Sequence, residues 1–472
     1  MINNLINPED KFWSTNQDGK VSLNNFKFKR FLEMHHFFKN KPNDNSSFNI
    51  IQKNGIFLEI KDEVDVKDFV LNYILDEQLG EDIYNLMTTK LTIFKRDYLS
   101  MIESKEIEIL KDTKDTAYLF YKNGVVEVTK DNQELKEYKE YGLSIWKDQI
   151  INRDYISSDH HESEFRTFVW KISGENVDRY NTFQSVIGYL VHSYKTNGNN
   201  KAIILNDEMI SDEPNGRSGK GLFWNALKHM KKVQSIDGKQ FSFAGDFPYQ
   251  SVKTDCQVLV FDDVKRNFLF ENLFSVITEG IEITYKGKDT IKLPVEDSPK
   301  ILITTNYTIK GSGGSHDARK FEVELSTFFN SGHTPIDFFK HYLFNDWDTE
   351  EWSRFDCYIM ECIKKYLNNG LMDYESISLP FKKFEIEITK ELYECLQSIN
   401  SGDWTASDEF YSFYVSSVSK KWDAKTKHLV TKYIKKYCDF HGYEYDESKS
   451  NGVKKFKIVR PVINPETLSK WN

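Results

Sequence analysis

The segment NGRSGKG (Asn215–Gly221) lies between an apolar run, KAIIL (Lys201–Leu205), and a helical run, LFWNALKHM (Leu222–Met230). A glycine-rich turn between a strand and a helix aims successive backbone N–H groups at one point, at the positive end of the helix. Such a nest holds phosphate, and a lysine at its end reaches the β and γ oxygens of a nucleoside triphosphate. The usual pattern is G-x-x-x-x-G-K-[ST], with the last hydroxyl on magnesium. Here Pro214 stands at the first glycine position and Gly221 at the hydroxyl position. The nest depends mainly on Gly216, Gly219 and the backbone around Lys220, so proline at 214 is tolerable. The candidate phosphate-binding residues are Asn215, Gly216, Arg217, Ser218, Gly219, Lys220, Gly221 and Leu222. Gly221 is the real departure. Without its hydroxyl a magnesium ion loses one ligand, which water or Asp262 must replace, because Ser218 falls too early in the loop.

Phosphate chemistry also needs carboxylates at the end of a neighbouring strand. Forty-two positions past Lys220, CQVLVFDDV is an apolar strand that ends in Asp262 and Asp263. Asp262 is the candidate metal ligand. A further 44 positions on, SPKILITTN is a second apolar strand, ending in Asn306, which is placed to orient an attacking water. The following HDARKFEVEL presents Arg319. Apolar runs alternating with helical segments predict an α/β sheet domain, whose ligands bind beyond the carboxyl ends of the strands. Each piece alone is modest; their joint order is what specifies a nucleotide site.

This series resembles the superfamily 3 helicases, the AAA+ ring ATPases of viruses, phages and plasmids. It is most similar to the phage and large-DNA-virus primase–helicases, in which an "FKNGV" element precedes a helical region and the ATPase. Here YKNGVVEV (Tyr121–Val128) and IGYLVHSY (Ile187–Tyr194) hold those places, and the resemblance covers residues 115–330 well. It implies that Lys220 is the Walker A lysine, Asp262 and Asp263 are the Walker B acids, and Asn306 is sensor 1. By the same resemblance Arg319 is an arginine finger for a neighbouring subunit, with ATP and Mg2+ as cofactors and a hexameric ring as the assembly. The segment ITYKGKDTIKL (Ile283–Leu293) then matches the pore hairpin, with Lys286 or Lys288 gripping a DNA phosphate.

The implied fold class is an α/β AAA+ P-loop ATPase core flanked by an N-terminal α+β/helical region and a C-terminal winged-helix-like domain. The expected divisions are 1–150 (N-terminal α+β), 151–198 (helical linker or collar), 199–335 (ATPase), 336–400 (helical connector) and 401–472 (winged-helix-like). In the first, KFKRFLEMHHFF sets Phe28, Phe31, Leu32, His35 and Phe38 at helical spacing, and Asn54-Gly55 and Asn123-Gly124 each mark a hairpin turn. SDHHE contains Ser158-x-His160, but no D-x-D strand precedes it, and DEVD (62–65) opens a helix instead. Neither a primase nor a metal site is expected there.

Net charge is −9 over 472 residues, which argues against a chain coated in nucleic acid but leaves room for local basic faces. One such face lies at the end, where residues 420–460 hold 12 basic and 5 acidic residues. In KTKHLVTKYIKKY, Leu429, Val430, Tyr433, Ile434 and Tyr437 fall on one helical face, and Lys425, His428, Lys432, Lys435 and Lys436 on the other. A hairpin turning near Asn451-Gly452 follows. Helices followed by a hairpin read as a winged helix for duplex DNA, with Lys432, Lys435 and Lys436 as contacts. Five cysteines form no CxxC pair and read as reduced, buried thiols, and no apolar stretch reaches membrane-span length. The expected setting is cytoplasmic. Three functions fit: a ring helicase on single-stranded DNA for phage or mobile-element replication, an origin-binding initiator or loader ATPase, and a scaffold with a degenerate nucleotide site.

Overall fold

The computed structural model describes residues 11–41, 48–158, 162–208, 217–286, 290–309, 311, 313–376, 384, 388–419, 424–450 and 452–460. The chain forms two compact units, Met1–Glu375 and Ser376–Asn472.

The heart of the first unit is a five-stranded parallel sheet. Its strands are β1 (Ala202–Asp207), β2 (Val233–Asp237), β3 (Val258–Val264), β4 (Lys300–Thr305) and β5 (Lys320–Leu325). In space they run β2-β3-β4-β1-β5, all parallel. β1 and β4 are buried along their whole length, which is why they read as unbroken apolar runs rather than alternating ones. The order inserts β4 between β1 and β3. Three polar strand ends therefore sit side by side at one edge.

Helices cover the sheet. Helix α1 (Glu164–Ile172) is capped by Ser163, and α2 (Val177–Val191) by Asn176, each side chain accepting from a first-turn N–H. Helix α3 (Lys220–Leu227) follows the glycine-rich loop, and α4 (Thr349–Asn369) packs along α2. At that contact Gly188 of α2 is required, because a Cβ there would lie 2.1 Å from the Cys362 carbonyl oxygen.

The N-terminal region contains the helices Asn25–Met34 and Glu63–Asp76 and a four-stranded sheet with the Asn54-Gly55 turn. The Asn123-Gly124 turn joins Thr116–Tyr121 to Gly124–Thr129 in a separate three-stranded sheet. Ala117, Leu119, Tyr121, Val126 and Val128 of that sheet share one core with Phe165, Phe168, Phe223 and Val260. The core of the sheet domain thus runs continuously across position 150.

The second unit contains, in order, α5 (Lys390–Gln397), β6 (Trp404–Ala406), α6 (Ser407–Ser417), α7 (Lys427–His441), β7 (Glu444–Ser450) and β8 (Val453–Val459). Its three strands are antiparallel in the order β6-β8-β7. Val430, Ile434, Tyr437 and Cys438 form the inner face of α7, packed with Phe456 and Ile458 of β8. All five cysteines are buried free thiols. No helix among the described residues is long and apolar enough to cross a membrane.

Candidate nucleotide site

The loop enters α3 through Gly219, whose φ of 100° lies in the left-handed region. A side chain there is disfavoured twice over: by the backbone, at about 1–2 kcal/mol, and by space, since a Cβ would meet the Phe168 ring at 2.9 Å. Among the described residues the helix start has no side-chain cap hydrogen bond, and N–H groups at a helix start suit an anion. Arg217 is exposed at φ 82° and Ser218 is buried. Gly221 is exposed, and a Cβ built on it meets nothing within 4 Å. Leu222 is half-buried against the core, while Asn215, Gly216 and Pro214 lie outside the described residues.

Lys220 Nζ lies 2.5 Å from Asp207 Oδ2, 2.7 Å from Asn306 Oδ1 and 3.2 Å from Ser218 Oγ. Asn306 turns its amide nitrogen to Asp263, donating to Oδ1 at 3.3 Å. Lys239, just past β2, reaches the other oxygen of Asp263 at 2.5 Å. Asp262 accepts from Thr304 Oγ1 of β4 at 2.6 Å. The strands build this. The register of β3 on β4 shifts between Phe261 and Val264, and Asp263 takes φ 57°, so the bulge re-aims the two acids at the strand end. The Asp263 N–H donates to the same Thr304 hydroxyl at 2.7 Å, which pins the bulge.

Lys220, Asp263 and Asn306 therefore meet in one hydrogen-bonded chain at the carboxyl edge of the sheet, with Asp262 beside it. Asp207, Thr304 and Lys239 were not among the residues singled out from the sequence. For Asp207 a signal exists: LND ends β1 in a carboxylate, much as FDD ends β3. The donor set of carboxylates, hydroxyl and amide oxygens is hard and suits magnesium rather than a soft metal. Among the described residues no group of three or more His, Cys, Asp or Glu residues could hold a metal ion.

Arg319 sits elsewhere. It directly precedes β5, whose Lys320 pairs with Ala202 at the start of β1. Its guanidinium donates to the Ser315 carbonyl at 3.0 Å and lies over the Phe274 ring, 4.7 Å from the centroid.

No family model matches the chain, and no curated protein matches it. Among solved structures it is similar to the apo structure of the NrS-1 C-terminal region, at 11% identity and a TM-score of 0.44, over 91% of this chain and 98% of that one. It is also similar to the SCCmec type IV Cch active helicase, at 11% identity and a TM-score of 0.32, over 89% of this chain and 92% of that one. A full-length MCM homolog from Methanopyrus kandleri matches at 11% identity and a TM-score of 0.21, over 58% of this chain and 54% of that one.

The candidate DNA contacts fall in two places. The hairpin of Ile281–Thr284 with Thr290–Leu293 is antiparallel, with Ile281, Ile283, Ile291 and Leu293 buried on one face. Tyr285 anchors it through a 2.8 Å hydrogen bond to the Val252 carbonyl, and Lys286 is exposed at its end. Gly287 and Lys288 lie outside the described residues, as do His160 and His161. In the second unit Lys432 is exposed and Lys436 half-buried. Lys435 is exposed but pairs with Glu447 of β7 at 3.0 Å and lies over the Tyr445 ring. Further out on the hairpin, Lys449 stands directly across from Lys454.

Proposed function

We propose that the chain is an ATP-hydrolysing DNA helicase of the superfamily 3 type, acting in replication of a phage or mobile element as a homo-oligomeric ring. The observation that carries this reading is the chain Lys220–Asn306–Asp263 at the carboxyl edge of a parallel sheet, beside the uncapped start of α3. The α3 amides and Lys220 bind the β and γ phosphates. Asp262 would hold the magnesium side of the site. A bound magnesium ion neutralises charge that develops on the phosphate oxygens. Asn306 and Asp263 position the water that attacks the γ-phosphorus; the bond to the β-bridging oxygen breaks, and ADP and phosphate leave. Arg319 completes the site of an adjacent copy.

Nucleotide turnover moves the hairpin that carries Lys286 along single-stranded DNA, while the second unit engages duplex through a winged-helix surface. The order helix, strand, helix, helix, hairpin in Ser376–Asn472 supports that last element. The basic second unit also favours a second reading, an initiator or loader that binds and melts an origin without processive unwinding. A forked-duplex assay separates them. ATP-dependent strand separation, abolished by Lys286→Ala, is the helicase outcome; DNA-stimulated hydrolysis without separation is the initiator outcome. No hydrolysis at all leaves the nucleotide-binding scaffold.

A further inference from the structure

An ammonium group has three hydrogens to donate, and Lys220 spends all three inside the protein, on Asp207, Asn306 and Ser218. A phosphate that takes Lys220 competes with these three acceptors. Nucleotide can take the lysine only by exchange, and the partner that matters most is the charged one. Asp207 is 9% exposed and meets Lys220 at 2.5 Å, with both side chains largely shielded from water. A charge-assisted contact so placed is stronger than the two neutral ones. Once Lys220 moves to the phosphates, its charge no longer answers the Asp207 carboxylate.

We propose that Asp207 is a positioning residue that parks Lys220 between turnovers and weakens nucleotide binding, so that product leaves as the lysine returns to its carboxylate. The inference rests on reading Lys220 as the phosphate-binding lysine. It also gives Asn306 a second state. Its oxygen accepts from Lys220 here; with the lysine on phosphate, that oxygen is released toward the attacking water while the amide nitrogen keeps its bond to Asp263.

The test is titration of the full chain with mant-ADP and with mant-ATP, in EDTA and again in excess magnesium, at fixed ionic strength. Asp207→Asn keeps shape and removes charge. It is expected to bind both nucleotides about tenfold more tightly, with or without magnesium. Asp207→Glu, which keeps the charge, should stay within about threefold of the wild type. General damage to the site does not tighten binding. Should Asp207→Asn fail to fold, Asp207→Ser carries the same expectation. Unchanged or weaker binding by the charge-removing variant, with the wild type binding normally, overturns the proposal. Weakening confined to the magnesium arm would instead make Asp207 a magnesium-side carboxylate that compensates for Gly221, and also overturns it. A wild type that binds neither nucleotide overturns the phosphate-loop reading itself.

Discussion

Arg319 and Lys220 lie at opposite edges of the same parallel sheet. The register pairs Ala202 with Lys320 and Asp207 with Leu325, so Arg319 precedes β5 at one edge while Lys220 bonds Asp207 at the other. Six residues of strand at about 3.3 Å each separate them by roughly 20 Å. An arginine side chain does not span that distance to its own γ-phosphate. In the proposed reading Arg319 therefore serves another copy. Arg319→Ala and Lys220→Ala should each abolish hydrolysis, and mixing the two proteins should restore part of it, because some interfaces then pair an intact loop with an intact finger. Phosphate release measured across mixing ratios checks this. Activity retained by Arg319→Ala alone would remove the finger assignment.

Gly221→Ser should preserve or raise hydrolysis. The built Cβ meets nothing within 4 Å, and the added hydroxyl stands where magnesium takes a ligand in related loops. The apparent magnesium requirement, read from hydrolysis against free magnesium, should fall several-fold. Gly219→Ala is the opposing control: its left-handed backbone and the Phe168 ring at 2.9 Å predict lost nucleotide binding. Equal tolerance at the two glycines would contradict the loop geometry.

Asp255, on the segment leading into β3, shares a hydrogen bond with Asp148. Burial, together with that bond and the neighbouring charge, pushes its carboxyl from an ordinary 3.8 up to about 6. A raised folded-state value means that the folded chain holds this proton more firmly than the unfolded one. The stabilisation is complete below about pH 3.8 and is lost as pH rises through about 6. Asp255→Asn supplies a donor at every pH. Its melting temperature should gain on the wild type between pH 5 and pH 7.5, and the two curves should run parallel above that. Parallel curves throughout would show that the pair does not share a proton.

In the second unit the ion pair between Lys435 and Glu447 separates lysines that share a helix. Lys432 is exposed, so Lys432→Ala should weaken duplex binding and flatten its log–log salt slope by about 0.9. Lys435→Ala should do less, since its charge is already answered by Glu447. The like-charged Lys449 and Lys454 face each other across the hairpin, an arrangement that disfavours the hairpin alone and that a phosphate placed there would relieve. Replacing both by alanine should lower duplex affinity without lowering the melting temperature. Titrations at several salt concentrations read all three variants.

The strands of the sheet were legible because burial on both faces leaves an unbroken apolar run, as in KAIIL, QVLVF and KILITT. The strand-end acids were legible from residue type at the end of such runs. Strand order was not, because pairing of β1 with β4 and β5 is non-local and leaves no mark in either segment. Asp207 is marked in the sequence only as a carboxylate at a strand end, and it becomes a site residue only when the fold brings β1, α3 and β4 to one edge. Lys239 and Thr304 are invisible for that reason, and so is the ion pair that answers Lys435. The Asn123-Gly124 hairpin was plain, yet its packing against Phe165 and Phe223 depends on contacts far along the chain.

The proposed function requires the carboxyl edge of this sheet to hydrolyse nucleoside triphosphate under control of DNA. The direct measurement is steady-state phosphate release from ATP by the full chain, with and without single-stranded DNA, beside Asp262→Asn. DNA should stimulate release, and Asp262→Asn should lose at least about a hundredfold while nucleotide still binds. Hydrolysis by Asp262→Asn at the wild-type rate, or nucleotide binding with no release under any condition, would contradict it.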